Sequence, residues 1–115
     1  MDDLVALRDS MRRFSDEREW DKFHSPKNLA MALAVEASEI LEHFQWVAEG
    51  ESTSLSESKR ELVADEIADV LLYLVRLADK LEIDPATAAF RKIEKNAIKY
   101  PIEKSKGSSA KYSEL

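Results

Sequence analysis

Apolar residues recur along this chain at helical spacing. Leu4, Leu7, Met11 and Phe14 fall on one stripe, which predicts a first helix from Asp3 to about Glu19. Leu29, Leu33, Ile40, Phe44 and Val47 repeat the pattern. Ahead of them Ser25-Pro26 supplies an N-cap and a proline at the first helical position, opening a second helix to about Ala48 with Gly50 near its C-terminal cap. The Ser- and Glu-rich stretch 51–58 reads as a solvated loop. Ser58 and Glu61 have capping-box spacing and predict a third helix to Leu81. Asp84-Pro85 repeats the cap-plus-proline signal for a fourth helix to about Tyr100, where Pro101 follows. No stretch alternates with period two, so no strand is predicted and the expected class is all-α. Residues 1–101 form the expected helical domain, and 102–115, rich in Lys and Ser, a basic, flexible tail.

The third helix shapes the expected architecture. Val70-Leu71-Leu72-Tyr73-Leu74-Val75 is apolar all round, which predicts burial on every side. Four helices from 115 residues make too thin a layer to cover it. The expectation is a four-helix bundle assembled through its central helices into a homo-oligomer, either a homodimer or a homotetramer built as a dimer of dimers.

Composition narrows the function classes. With 44% hydrophobic and 35% charged residues the balance is that of a water-soluble globular domain. The acidic Met-Asp-Asp start is unlike a signal peptide, and Val70–Val75 is too short to span a bilayer, so the expected location is cytoplasmic, with no membrane partner. Cysteine is absent, which excludes disulfides and thiolate metal sites. The net charge is −6, yet residues 91–115 carry +4, leaving −10 on residues 1–90. So acidic a body repels the phosphates of duplex nucleic acid, and no nucleic-acid partner is expected.

The acidic residues have a pattern. Glu36 and Glu39 lie three apart, as do Glu66 and Asp69, and such spacing puts two carboxylates side by side on a helix. Among 23 acidic residues that spacing alone is cheap: Glu39/Glu42 and Asp16/Glu19 share it. Placement separates them, because Glu36 falls inside the apolar stripe of its helix and Glu39 at its edge, while Glu66 and Asp69 flank the stripe of Val63, Val70, Leu74 and Leu77. Carboxylates aimed at a core are costly unless a cation meets them. Four oxygen donors without Cys suit a hard cation, Mg²⁺ with Mn²⁺ as a substitute. A di-iron bundle needs Glu-x-x-His on two helices, and the two histidines, His24 and His43, follow Asp21 and Ile40 instead.

With these blocks assembled, the chain resembles the MazG-like nucleotide pyrophosphohydrolases of the all-α NTP pyrophosphatase superfamily. The E-x-x-E…E-x-x-D pattern is joined by Glu17–Leu29 (EREWDKFHSPKNL), Phe44-Gln45-Trp46, Asp69–Leu74 and Lys92-x-x-Lys95-Asn96-x-x-Lys99-Tyr100-Pro101. These blocks are similar to the single-domain branch that includes the dCTP pyrophosphatases. The resemblance implies a MazG-like helical bundle and Mg²⁺-dependent hydrolysis of an NTP or dNTP, dCTP or a modified dCTP being favoured, to the monophosphate and pyrophosphate. It implies that Glu36, Glu39, Glu66 and Asp69 are catalytic and bind the metal, with Glu39 orienting the water. It also implies that Trp20, His24, Trp46, Tyr73 and Asn96 line the nucleotide pocket, with Lys92, Lys95 and Lys99 near the phosphates. Two rival readings remain open at this stage, a non-catalytic nucleotide-binding or helical interaction module and a purely structural oligomer.

Overall fold

The computed structural model describes residues 2–115. Among them the structure is all-α: α1 (Asp2–Glu17), α2 (Pro26–Phe44), α3 (Glu57–Lys80), α4 (Pro85–Lys99) and the one-turn α5 (Ile102–Ser105), with short 3₁₀ turns at Asp21–Phe23, Glu49–Glu51 and Tyr112–Glu114. No described helix is long and apolar enough to cross a membrane.

Caps fix where the helices begin. Ser25 Oγ accepts from Asn28 N at 3.2 Å and Pro26 opens α2. Asp84 Oδ1 accepts from the amides of Ala86 and Thr87 at 3.0 and 3.2 Å ahead of Pro85. These two expected starts hold. The third is displaced: Ser56, not Ser58, caps α3 by accepting from Lys59 N at 3.3 Å, so no capping box with Glu61 forms. Helix α2 also stops earlier than expected, at Phe44, and Gly50 sits in the 3₁₀ turn that follows rather than at a cap.

The ends of α1 and α3 share a device that their sequences disguise. Glu19 and Glu82 adopt positive φ, 54° and 56°. Around Glu19, Trp20 N donates to Ser15 O and Glu19 N to Asp16 O; around Glu82, Ile83 N donates to Ala78 O and Glu82 N to Asp79 O. Both are Schellman endings with glutamate in the left-handed position usually held by glycine. The first reverses the chain sharply enough to bring Trp20 back over α1, where its ring meets Phe14 edge-on at 5.6 Å.

Two compact units divide the chain, one up to Ile83 and one from Asp84 to Leu115. In the first, α3 packs against both α2 and α1. Its core is small: Leu29, Val63, Val75 and Ala78, with Ser15 and Arg76 buried beside them. The apolar run of α3 is not enclosed by its own chain, since Leu71 and Leu74 remain 38% and 43% exposed. In the second unit, α4 carries exposed Phe90, Ile93 and Ile98. The tail beyond it is not uniformly extended. It forms α5 and a final turn in which Tyr112 meets Tyr100 edge-on at 6.1 Å and Lys99 Nζ stands 4.9 Å from the Tyr112 ring centre.

Candidate active site

Three of the four paired carboxylates converge where α2 and α3 pack. One carboxylate oxygen from each of Glu36, Glu39 and Glu66 lies within 4.8 Å of the others. Glu36 Oε2 and Glu66 Oε2 are buried, and neither has a hydrogen-bond partner. Buried acceptors are ordinarily satisfied, so two orphans in one cluster mark a place for something cationic or protic. The electrostatics agree. Burial, then the neighbouring Glu39 and Glu66 carboxyls, push Glu36 up to about 7. Glu66 is raised as well, chiefly by contact with Glu39 and then by burial. Like charges confined together resist ionising until a counter-charge arrives.

Beside the cluster opens a cavity of about 300 Å³, lined by Met11, Phe14, Trp20, His24, Glu36, Asp69, Leu72 and Tyr73. Asp69 thus belongs to the cavity wall rather than to the three-oxygen cluster. Part of the wall is aromatic: Phe14 and Trp20 meet edge-on, and Trp20 meets His24 edge-on at 6.2 Å between ring centres. A cavity lined by both acidic residues and aromatic rings suits a molecule with a metal-binding polyanion and a flat ring.

A second charge cluster, joined to the cavity wall through His24, is paired within the chain. Arg76 is 4% exposed in the apolar part of α3. Its Nη2 donates to Asp21 Oδ1 at 3.0 Å, its Nε donates to His24 Nδ1 at 3.2 Å, and its Nη1 lies 3.7 Å from Asp79 Oδ2. Arg12 grips Asp79 with both Nε and Nη2, and Lys80 also reaches Asp21. The Arg12 guanidinium holds Asp79 below the usual carboxylate range, and Lys80 does the same for Asp21. This network ties α1, the 3₁₀ turn and α3 together beneath Trp20 and His24. Nothing in the sequence singled it out.

The expected residues divide accordingly. Glu36, Glu39, Glu66, Asp69, Trp20, His24 and Tyr73 are gathered within the first unit at the cluster and cavity. Trp46 stands in the α2–α3 connection, 89% exposed and apart from the cavity wall. Lys92, Lys95, Asn96 and Lys99 are exposed positions of α4 in the second unit. Met11, Phe14 and Leu72, which wall the cavity, were not singled out from sequence, because at helical spacing they read as ordinary core.

Comparison with known proteins gives this geometry a lineage. The model of the MazG-like family matches residues 31–115. Human dCTP pyrophosphatase 1 is 42% identical over 114 residues, spanning 97% of this chain and 67% of that protein. The bovine dCTP pyrophosphatase 1 is 40% identical, with 97% and 68% covered. Among solved structures, a pyrophosphatase from Archaeoglobus fulgidus superposes with a TM-score of 0.80 at 47% identity, covering 84% of this chain and 91% of that one. The chain belongs to the MazG-like family, and the enzyme class that goes with this membership is nucleotide pyrophosphohydrolase.

Proposed function

We propose that the protein hydrolyses nucleoside or deoxynucleoside triphosphates to the monophosphate and pyrophosphate, using Mg²⁺ (or Mn²⁺ in its place) held by Glu36, Glu39, Glu66 and Asp69. The observation that carries this reading is the pair of buried, partnerless oxygens, Glu36 Oε2 and Glu66 Oε2, at the edge of an aromatic-walled cavity. The donor set fits a hard divalent cation, since every candidate ligand is a carboxylate oxygen. Bound there, such an ion supplies neutralisation of the phosphate charge and a lowered pKa for water.

The chain's own groups divide the remaining work. Glu39, at the shared corner of the cluster, orients the water that attacks the α-phosphorus. The bond from that phosphorus to the bridging oxygen breaks, and pyrophosphate departs with its electron pair. Trp20 and Phe14 give the base a face to stack on, and Tyr73 and His24 border the same cavity. Lys92, Lys95 and Lys99 belong in this proposal near the phosphates, with Asn96 and Trp46 on the base. Catalysis here is mainly positioning and charge neutralisation, as in phosphoryl transfer generally.

The names of the curated relatives favour dCTP as substrate; a modified dCTP, housekeeping of the nucleotide pool as the role and a cytoplasmic location belong to the same proposal. Self-association into a dimer or a dimer of dimers is supported by the apolar residues that one chain leaves uncovered: Ile67, Leu71 and Leu74 on α3, and Met31 and Val35 on α2. A panel of canonical and 5-modified dNTPs and NTPs with Mg²⁺ tests the activity by kcat/KM. Pyrophosphate and monophosphate are the expected products, with cytosine nucleotides best. Orthophosphate as product, or binding without turnover, contradicts the proposal, the latter in favour of a nucleotide-binding module.

A further inference from the structure

His24 contributes a polar ring to the cavity wall, and its surroundings restrict what it can do. Nδ1 receives the Arg76 Nε–H at 3.2 Å, and Ser15 Oγ, on a fully buried residue, lies 3.4 Å from the same nitrogen. A guanidinium N–H can only donate, so Nδ1 must be the bare, accepting nitrogen. A neutral imidazole then keeps its single proton on Nε2, the nitrogen on the other side of the ring. Among the described residues Nε2 makes no hydrogen bond within the chain. Nor is Arg76 at liberty to turn away. It is buried, and its two remaining nitrogens are engaged by Asp21 and Asp79, themselves held by Lys80 and Arg12. Burial and the adjacent Arg76 charge also lower the His24 pKa, which favours the neutral ring.

We propose that Arg76 is a positioning residue that locks His24 as its Nε2–H tautomer, so that the cavity presents the nucleotide with a fixed hydrogen-bond donor. The complementary group on the ligand is an acceptor: a base carbonyl, a bare ring nitrogen or a phosphate oxygen. An amino or imino N–H at that point meets a second donor and is rejected, so this contact selects as well as binds. Other histidines can exchange tautomers to suit a ligand. This one is fixed by a guanidinium anchored at three points. The nucleotide partner rests on the proposed function; the tautomer rests on the chain alone.

Two-bond ¹H–¹⁵N correlation of the histidine rings at neutral pH reads the tautomer directly. The expected wild-type spectrum has His24 Nε2 protonated and Nδ1 bare. An Nδ1–H tautomer or an imidazolium overturns the proposal whatever nucleotide is hydrolysed. Arg76→Met should yield a tautomer mixture and a roughly tenfold lower kcat/KM, while Arg76→Lys, which keeps a cationic donor, should restore the Nε2–H form at least in part. An unchanged tautomer in a folded Arg76→Met protein contradicts the positioning role. If that variant fails to fold, the wild-type spectrum still decides. Saturation with a dCTP analogue bridged by an α,β-imido group, with Mg²⁺, should shift the Nε2 resonance. Saturation without a shift removes His24 from the nucleotide. Should the wild type hydrolyse no nucleotide, the proposed function falls and the tautomer is judged separately.

Discussion

Helix α3 carries two acidic clusters in opposite electrostatic states. Near its middle, Glu66 meets Glu36 and Glu39 with two buried oxygens unpartnered and two carboxyls raised above their ordinary range. About 20 Å further along the axis, at 1.5 Å per residue, Asp79 and the nearby Asp21 are matched by Arg12, Arg76 and Lys80 and held below theirs. Both clusters look alike in composition, as acidic residues near helix–helix contacts. The difference lies in who answers the charge. In the second cluster the chain answers it, which clamps α1 and the Trp20–His24 turn to α3. In the first the chain leaves it open, at a cost in stability that a bound cation would offset.

Substitutions should separate the two clusters by kind of effect. The largest is expected in the open one: Glu39→Gln should lower kcat by at least about 10³-fold, a loss of roughly 4 kcal/mol of transition-state stabilisation. Its folding should be unharmed, and the metal-free Tm should rise slightly because a like charge has gone. Steady-state kinetics beside thermal unfolding check both halves, and a fall in metal-free stability would put Glu39 in the structural class instead.

In the paired cluster the order reverses. Arg76→Met leaves Asp79 and His24 without their buried partner and should cost about 3 kcal/mol of stability, the low end for breaking a buried ion pair. Denaturant unfolding measures it. A loss below about 0.5 kcal/mol would show the network to be surface decoration of the usual small value.

The pH response follows from the same contrast. A group whose folded pKa is raised, as for Glu36, stabilises the fold at pH below its unfolded value, and this stability is lost as pH climbs through the folded one. Without metal, Tm should therefore fall between about 4.5 and about 7 on account of Glu36. Asp79 and Asp21, lowered in the fold, act in the other direction. Their contribution is present above the ordinary aspartate range and disappears as acid takes pH below it. Glu36→Gln should flatten the first slope and leave the acid limb in place, which a Tm-versus-pH series resolves.

The smallest expected effect concerns the helix endings. Glu82→Gly should stabilise by about 0.5–1 kcal/mol, since glycine occupies the left-handed region without the Cβ penalty. A destabilised variant would mean that the glutamate side chain earns its place there.

How far the sequence revealed this molecule depends on the range of each interaction. Signals confined to a few neighbouring residues were legible: Ser25-Pro26 and Asp84-Pro85 start helices as read, and the stripe holding Leu29 does face inward with Glu36 in it. Where two local signals competed, the reading slipped, as when Ser56 rather than Ser58 became the cap. The turn at Glu19 was hidden because its residue type gives no hint of positive φ. Wholly illegible was the Arg76 network, whose members at positions 12, 21, 24 and 79 meet only once α1, the turn and α3 have packed. For the site, periodicity brought the carboxylates together on paper and family resemblance supplied the aromatic and basic residues. Of these, Trp20, His24 and Tyr73 share the cavity with Glu36 and Asp69, whereas Trp46 stands exposed outside its wall.

If the Glu36–Glu39–Glu66 cluster is left unanswered in order to hold a divalent cation, metal and protein stability must be linked through it. Thermal unfolding with and without Mn²⁺ tests it most directly, comparing the wild type with the Glu36→Gln/Glu66→Gln double variant. The wild type should show a concentration-dependent rise in Tm and the double variant none, its metal-free Tm already exceeding that of the wild type. Equal responses in both proteins, or no response in either, would contradict it.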